Sequence, residues 1–135
     1  MRMRKGFTLI ELLIVLAIIA ALMAVVTPIA LNAVRKAKAT QVAENFRNIK
    51  SAVESYVNVE QEIPTSLASL TGYLNTTPQN FTLTGDSAFT SGIGYATITY
   101  TGDDVAVSSL QQVYSEISTD TSDNPVLVLQ FQKWW

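Results

Sequence analysis

The chain has 135 residues, a length that suits one domain, and its net charge of −2 is the remainder of opposed regions. Residues 1–32 carry +2, residues 33–50 carry +4 and residues 51–135 carry −8; a basic stretch joined to an acidic remainder bears on partners rather than on fold. Cys and His are both absent, which removes their nucleophiles, His general bases and Cys/His metal centres, and requires any exported form to hold together without disulfides.

The first predicted element is apolar. Phe7 to Leu31 is broken only by Thr8, Glu11, Thr27 and Pro28, and Leu12 to Val26 is an unbroken apolar run. As a helix this segment spans ~37 Å, enough for a hydrocarbon core of ~30 Å. Its Leu, Ile, Val and Phe residues each favour insertion by ~0.3–0.6 kcal/mol near the bilayer centre, which outweighs the ~3 kcal/mol that Glu11 can oppose. Arg2, Arg4 and Lys5 precede it, so the short N-terminus is expected to stay cytoplasmic and the remainder to face outward. An ordinary secretory signal would have a shorter apolar stretch and a small-residue cleavage site after it. A plain membrane anchor fits the length and leaves Glu11 unexplained.

A third reading rests on the string Lys5-Gly6-Phe7-Thr8-Leu9-Ile10-Glu11-Leu12-Leu13, which resembles the class III prepilin signal of type IV pilins and type II secretion pseudopilins. The resemblance implies that residues 1–6 are a leader cut off after Gly6, and that Phe7 becomes an N-methylated first residue. A methylated amine keeps its positive charge, and a Gly at the cut lets an extended segment enter a narrow protease site. The resemblance further implies that Glu11 neutralises the Phe7 ammonium of an adjacent subunit during assembly. The bland alternative is a carboxylate that snorkels to the headgroups. Pro28 stands where many pilins carry Pro; it either kinks the helix or marks a segment that loses helical structure on assembly.

Beyond Pro28 the helical period continues. Val34, Val42, Phe46, Ile49, Val53 and Val57 form one stripe, and Arg35, Lys36, Lys38, Arg47, Lys50 and Glu54 lie opposite. A helix from about Phe7 to about Val57 would be ~75 Å long, longer than a small domain is wide. Its apolar half then needs a membrane or a bundle of identical helices around it. Pro64 closes any continuation, and the stretch from Glu62 to Leu74, with its proline followed by Leu67 and Leu70, resembles the pilin connection after the long helix, with Ile63 in place of the usual Tyr.

From Asn80 the period becomes strand-like. Phe81 and Leu83 alternate with Thr82 and Thr84, and Tyr95 to Thr101 alternates before Gly102-Asp103-Asp104. That turn and Val105-Ala106-Val107 are expected to complete a hairpin. Val126 to Phe131 is expected as the last strand, and that strand and the Trp134–Trp135 pair together are expected to tether the head by apolar burial in place of the disulfide many pilins use. Asp120, Asp123 and Asn124, together with Asp103 and Asp104, offer oxygen ligands in the manner of a Ca²⁺ loop, but the spacing lacks that motif's Gly and distal Glu, and a solvated turn accounts for them. No other metal is expected.

The expected fold is α+β and pilin-like: a long N-terminal helix whose C-terminal half packs on a small antiparallel sheet. Residues 1–6 are the leader, 7–32 the transmembrane and filament-core helix, and 33–135 the head. The resemblance implies a non-enzymatic subunit of a helical homopolymer, without a cofactor. It would be processed by a prepilin peptidase and methyltransferase and assembled by an inner-membrane platform with its ATPase. It would reside in the inner membrane and then in an extracellular pilus or a periplasmic pseudopilus, serving adhesion, twitching motility or DNA uptake. The alternatives are a pseudopilin of a type II secretion or competence system, and an anchored binding domain that never polymerises. The basic stretch Arg35–Lys38 could touch DNA backbone, an acidic neighbouring head or anionic headgroups. An enzyme built on Asp103 and Asp104 is remote, since adjacent turn carboxylates point apart.

Overall fold

The computed structural model describes residues 5–86 and 88–135; Arg2 and Arg4 of the expected leader lie outside it. The chain divides into two units, Met1–Arg35 and Lys36–Trp135, and helix α1 (Leu9–Glu60) contributes to both. In the first unit α1 is apolar, with a mean hydropathy of 3.1 over its best membrane-length window. It is exposed throughout this single chain, from Leu9 to Val34. Val34 therefore stands outside the buried stripe in which the periodicity places it.

In the second unit α1 buries Ala39, Val42, Ala43, Phe46, Ile49, Ala52, Val53 and Val57. The branched and aromatic positions among them are those expected from the sequence, and three alanines, Ala39, Ala43 and Ala52, are buried with them. The helix runs past Val57 to Glu60, where Gln61 in the left-handed region (φ 60°) ends it with its N–H on the Val57 carbonyl at 3.0 Å. A short 3₁₀ turn, Leu67–Leu70, follows, with Leu70 fully buried.

The sheet contains β1 (Phe81–Gly85), β2 (Ile93–Tyr100), β3 (Ser118–Thr119) and β4 (Pro125–Gln132), all antiparallel, in the order β1-β2-β4-β3. The arrangement is α+β, as expected. Phe81 and Leu83, Ala96, Ile98 and Tyr100, and Leu127 and Leu129 form the inner face and join the α1 stripe in one core. Phe46 packs edge-on against Phe81 at 5.0 Å, and Phe81 lies 4.9 Å from Tyr100.

Two expectations are corrected. Val105-Ala106-Val107 is not the second arm of a hairpin. β2 pairs with β1 and β4, and helix α2 (Val107–Val113) begins in that stretch. The chain turns away because the Tyr100 hydroxyl donates to Asp104, whose other oxygen meets Lys38 of α1 at 3.1 Å; this draws the loop onto the helix. The terminal Trp pair also does less than expected. Trp135 is half-buried against Phe89, but Trp134 is largely exposed. The strand half of the expected tether is as anticipated: β4 is an interior strand with Val126, Leu127 and Leu129 buried.

Candidate functional site

The segment from Gly6 to Glu11 is built by its own sequence. Gly6 precedes the helix in exposed, non-helical chain, and a Cβ placed on it would meet no atom. Phe7 is exposed beside it. Thr8 and Glu11 then start α1 reciprocally: the Thr8 N–H donates to Glu11 Oε2 at 2.8 Å, and the Glu11 N–H donates to Thr8 Oγ1 at 3.3 Å. This is a capping box, which satisfies two of the donors that every helix start leaves open and places a carboxylate at the positive end of the helix dipole. The Thr-x-x-Glu spacing announces it, and a reading of Glu11 as a charge awaiting a partner overlooks it. In the single chain the carboxylate already has a donor.

Further along, α1 passes through Pro28 without interruption. Proline withdraws the N–H that the Ala24 carbonyl would otherwise receive. One residue earlier, the Thr27 hydroxyl donates to the Met23 carbonyl at 2.8 Å. Loss of helix around Pro28 is not a feature of this state of the chain.

Several cations expected on the outer face of α1 are engaged within the head. Lys38 pairs with Asp104, and Lys50 pairs with Glu116 at 3.0 Å. Arg47 donates to the Val113 carbonyl at 3.3 Å, and its guanidinium lies 5.0 Å from the Tyr114 ring centroid. These contacts fasten the segment from Tyr100 to Ile117 along the helix. The hydrogen bond from Tyr100, aided by Lys38, holds the Asp104 carboxyl below its usual range. Burial, followed by that same bond, pushes the Tyr100 phenol up to about 12. Lys50 holds Glu116 down, and Glu116 raises Lys50 in return. Surface pairs of this kind contribute little each, so their role is positional. The sequence carried the charges but not their distant partners.

Asp120, Asp123 and Asn124 occupy a tight turn. The Asp120 carboxylate accepts from the Ser122 N–H and from the Thr121 hydroxyl, Asp123 has a φ of 61°, and the Asp120 N–H donates to the Asn124 carbonyl at 3.0 Å. Asp103 lines the same shallow hollow as Asp123 and Asn124. Among the described residues no group of three acidic side chains is gathered tightly enough to hold a metal ion.

A family model described as the prokaryotic N-terminal methylation motif matches residues 1–27, the stretch that contains Gly6, Phe7 and Glu11. The chain is also 42% identical over 89 residues to the type IV wide pilus major component PilA4 of Thermus thermophilus. That match covers 65% of this chain and 68% of the relative. The chain belongs to the type IV pilin family. No solved structure matches it. The family is structural rather than enzymatic, and this pilin carries a methylation motif, an apolar N-terminal helix and a small head folded on the helix's later turns.

Proposed function

We propose that this pilin is made as a membrane-anchored precursor, cut after Gly6, N-methylated at Phe7 and polymerised through residues 7–32 into an extracellular type IV pilus. The observation that carries the reading is the first half of α1. Its apolar side chains from Leu9 to Leu31 are exposed all round in the single chain, a surface that water does not tolerate over this length. The bilayer covers it before assembly, and the same segment of other copies covers it afterwards. The head, residues 33–135, is then carried outward.

Within the polymer, Glu11 leaves the Thr8 N–H and meets the methylated Phe7 ammonium of an adjacent copy. A charge pair in a low-dielectric core strongly penalises the loss of one member, so Glu11 sets the register of each incoming helix. Pro28 supplies a point at which the helix yields during that packing. A prepilin peptidase and methyltransferase, an inner-membrane platform and its ATPase perform the processing and assembly. A pilus is preferred to a secretion pseudopilus because the relative is a wide-pilus major component. Adhesion, twitching motility and DNA uptake are the activities such a filament serves.

Two measurements test this. Mass spectrometry of the mature protein is expected to find Phe7 first, with one added methyl. Glu11→Gln is expected to leave cleavage intact and to abolish most surface filaments in electron micrographs. Filaments at normal yield from that variant would remove Glu11 from the assembly step, and a mature protein lacking residues 7–31 would remove the polymer itself.

A further inference from the structure

Helix α1 forgoes two ion pairs that its own spacing offers. Glu44 and Arg47 stand three residues apart, and Lys50 and Glu54 four, the separations at which opposite charges meet on one helix face. Both cations turn to the head instead. Arg47 reaches the Val113 carbonyl and the Tyr114 ring, and Lys50 reaches Glu116 at 3.0 Å. Glu44 and Glu54 stay exposed, and among the described residues neither carboxylate has a salt bridge. Glu60, farther along, accepts from the Tyr73 hydroxyl at 3.1 Å. The cations of α1 within the head are Lys36, Lys38, Arg47 and Lys50. Lys38 meets Asp104 at 3.1 Å, so Lys36 is the one that is exposed and, among the described residues, without a salt bridge.

We infer that Lys36 of one copy pairs with Glu44 of another, and that this contact sets how far the two helices are displaced along the polymer. The inference rests on polymerisation through α1. Lys36 and Glu44 are eight residues apart, beyond the three- or four-residue interval at which side chains of one helix meet. Eight residues rise ~12 Å, so parallel copies that bring the two groups together are displaced by about that distance.

Glu54 is the competing acceptor, and the apolar run decides against it. It lies eighteen residues from Lys36 and would require a displacement of ~27 Å. The run from Phe7 to Leu31 is ~37 Å long, so a ~12 Å displacement keeps ~25 Å of it beside the neighbour's run, and a ~27 Å displacement keeps only ~10 Å. The sense of the displacement also agrees with the N-terminal contact. Glu11 meeting Phe7 of an adjacent copy carries that copy outward by ~6 Å, and Glu44 meeting Lys36 carries a copy outward by ~12 Å, the place of the neighbour after it. A pair held between packed helices is less screened by water than the pairs on the surface of one head, and it recurs at every copy.

Charge exchange in cells assembling the full-length protein tests the pair, with surface filaments counted in electron micrographs. Lys36→Glu opposes two carboxylates at each contact and Glu44→Lys opposes two cations, so each should lower filament yield about tenfold or more. The double variant, Lys36→Glu with Glu44→Lys, restores the attraction with its signs exchanged and should recover the yield to within about twofold. Both positions are exposed, so the urea midpoint of the head should stay that of the unaltered chain in all three. Normal yield from both single variants overturns the pair and leaves the polymer standing. A loss that the double variant does not recover overturns it too, and assigns Lys36 to anionic headgroups or to the assembly machinery. Recovery of Lys36→Glu by Glu54→Lys in place of Glu44→Lys overturns the displacement. Absence of filaments from the unaltered chain sinks polymerisation itself, and the pair with it.

Discussion

Phe46→Ala should come close to unfolding the head while leaving the membrane segment helical. Phe46 is fully buried on α1 and meets Phe81 edge-on at 5.0 Å, and Phe81 in turn meets Tyr100. Truncating such a side chain removes its transfer free energy and leaves a cavity, together ~3–5 kcal/mol. The edge-on pair accounts for ~0.5–1.5 kcal/mol of interaction beyond area alone. A unit of about 100 residues, Lys36–Trp135, has ~5–15 kcal/mol of stability in total. A loss of ~4 kcal/mol divided by a urea slope of ~1–3 kcal/mol/M lowers the midpoint by roughly 2 M. The assay is urea denaturation of the full-length protein in detergent, followed by emission from Trp134 and Trp135, both of which sit in the head. Val59→Ala, on the same helix at an exposed position, serves as the control and should shift the midpoint little. A Phe46→Ala midpoint within experimental error of the Val59→Ala one would refute the packing of the sheet on this stripe.

Gly85→Ala places a methyl against the Pro64 carbonyl and the Ile63 side chain, whereas Gly72→Ala meets open space. The first should destabilise by ~1–3 kcal/mol and the second should be near neutral in the same denaturation series. The Tyr100 phenol favours its protonated form more strongly in the folded chain than in the unfolded one, with its pKa raised from 10.0 to about 12. Its contribution is therefore complete below pH 10 and lost as pH rises through about 12. Tyr100→Phe should flatten that alkaline decline, and a decline of unchanged steepness would reject the phenol as its source. Deleting Val126–Trp135 removes an interior strand and should abolish the cooperative transition; a truncated head that still unfolds cooperatively by circular dichroism would show the sheet closes without β4.

What the sequence disclosed depended on the range of the interactions. The apolar run and the Val42, Phe46, Ile49, Val53 stripe are local patterns, and periodicity reads them directly. β1, β2 and β4 were legible for the same reason. The pairing of strands was not: Tyr95 to Thr101 alternates equally well whichever neighbour it takes, and Gly102-Asp103-Asp104 has the composition of a hairpin turn. The competing pull was a contact 66 positions away, Lys38 to Asp104, which no local pattern encodes. Val105 to Val113 is short enough for strand and helix propensities to be indistinct, and burial of Leu110 favours the helix. At the N-terminus the opposite happened: Thr8 and Glu11 form a local motif in plain view, eclipsed by the longer-range partner that the same carboxylate suggests.

The order of strands in the sheet sets a schedule for biogenesis. β2 and β4 share seven residue pairs, yet about 25 residues separate the end of one from the start of the other. At ~5–20 residues per second a ribosome leaves β2 with one bare edge for roughly 1–5 s. An unpaired edge carrying Ile98 invites pairing with the wrong strand. That edge stays bare until Pro125–Gln132 arrives. A nascent chain stalled before this point would be an aggregation hazard.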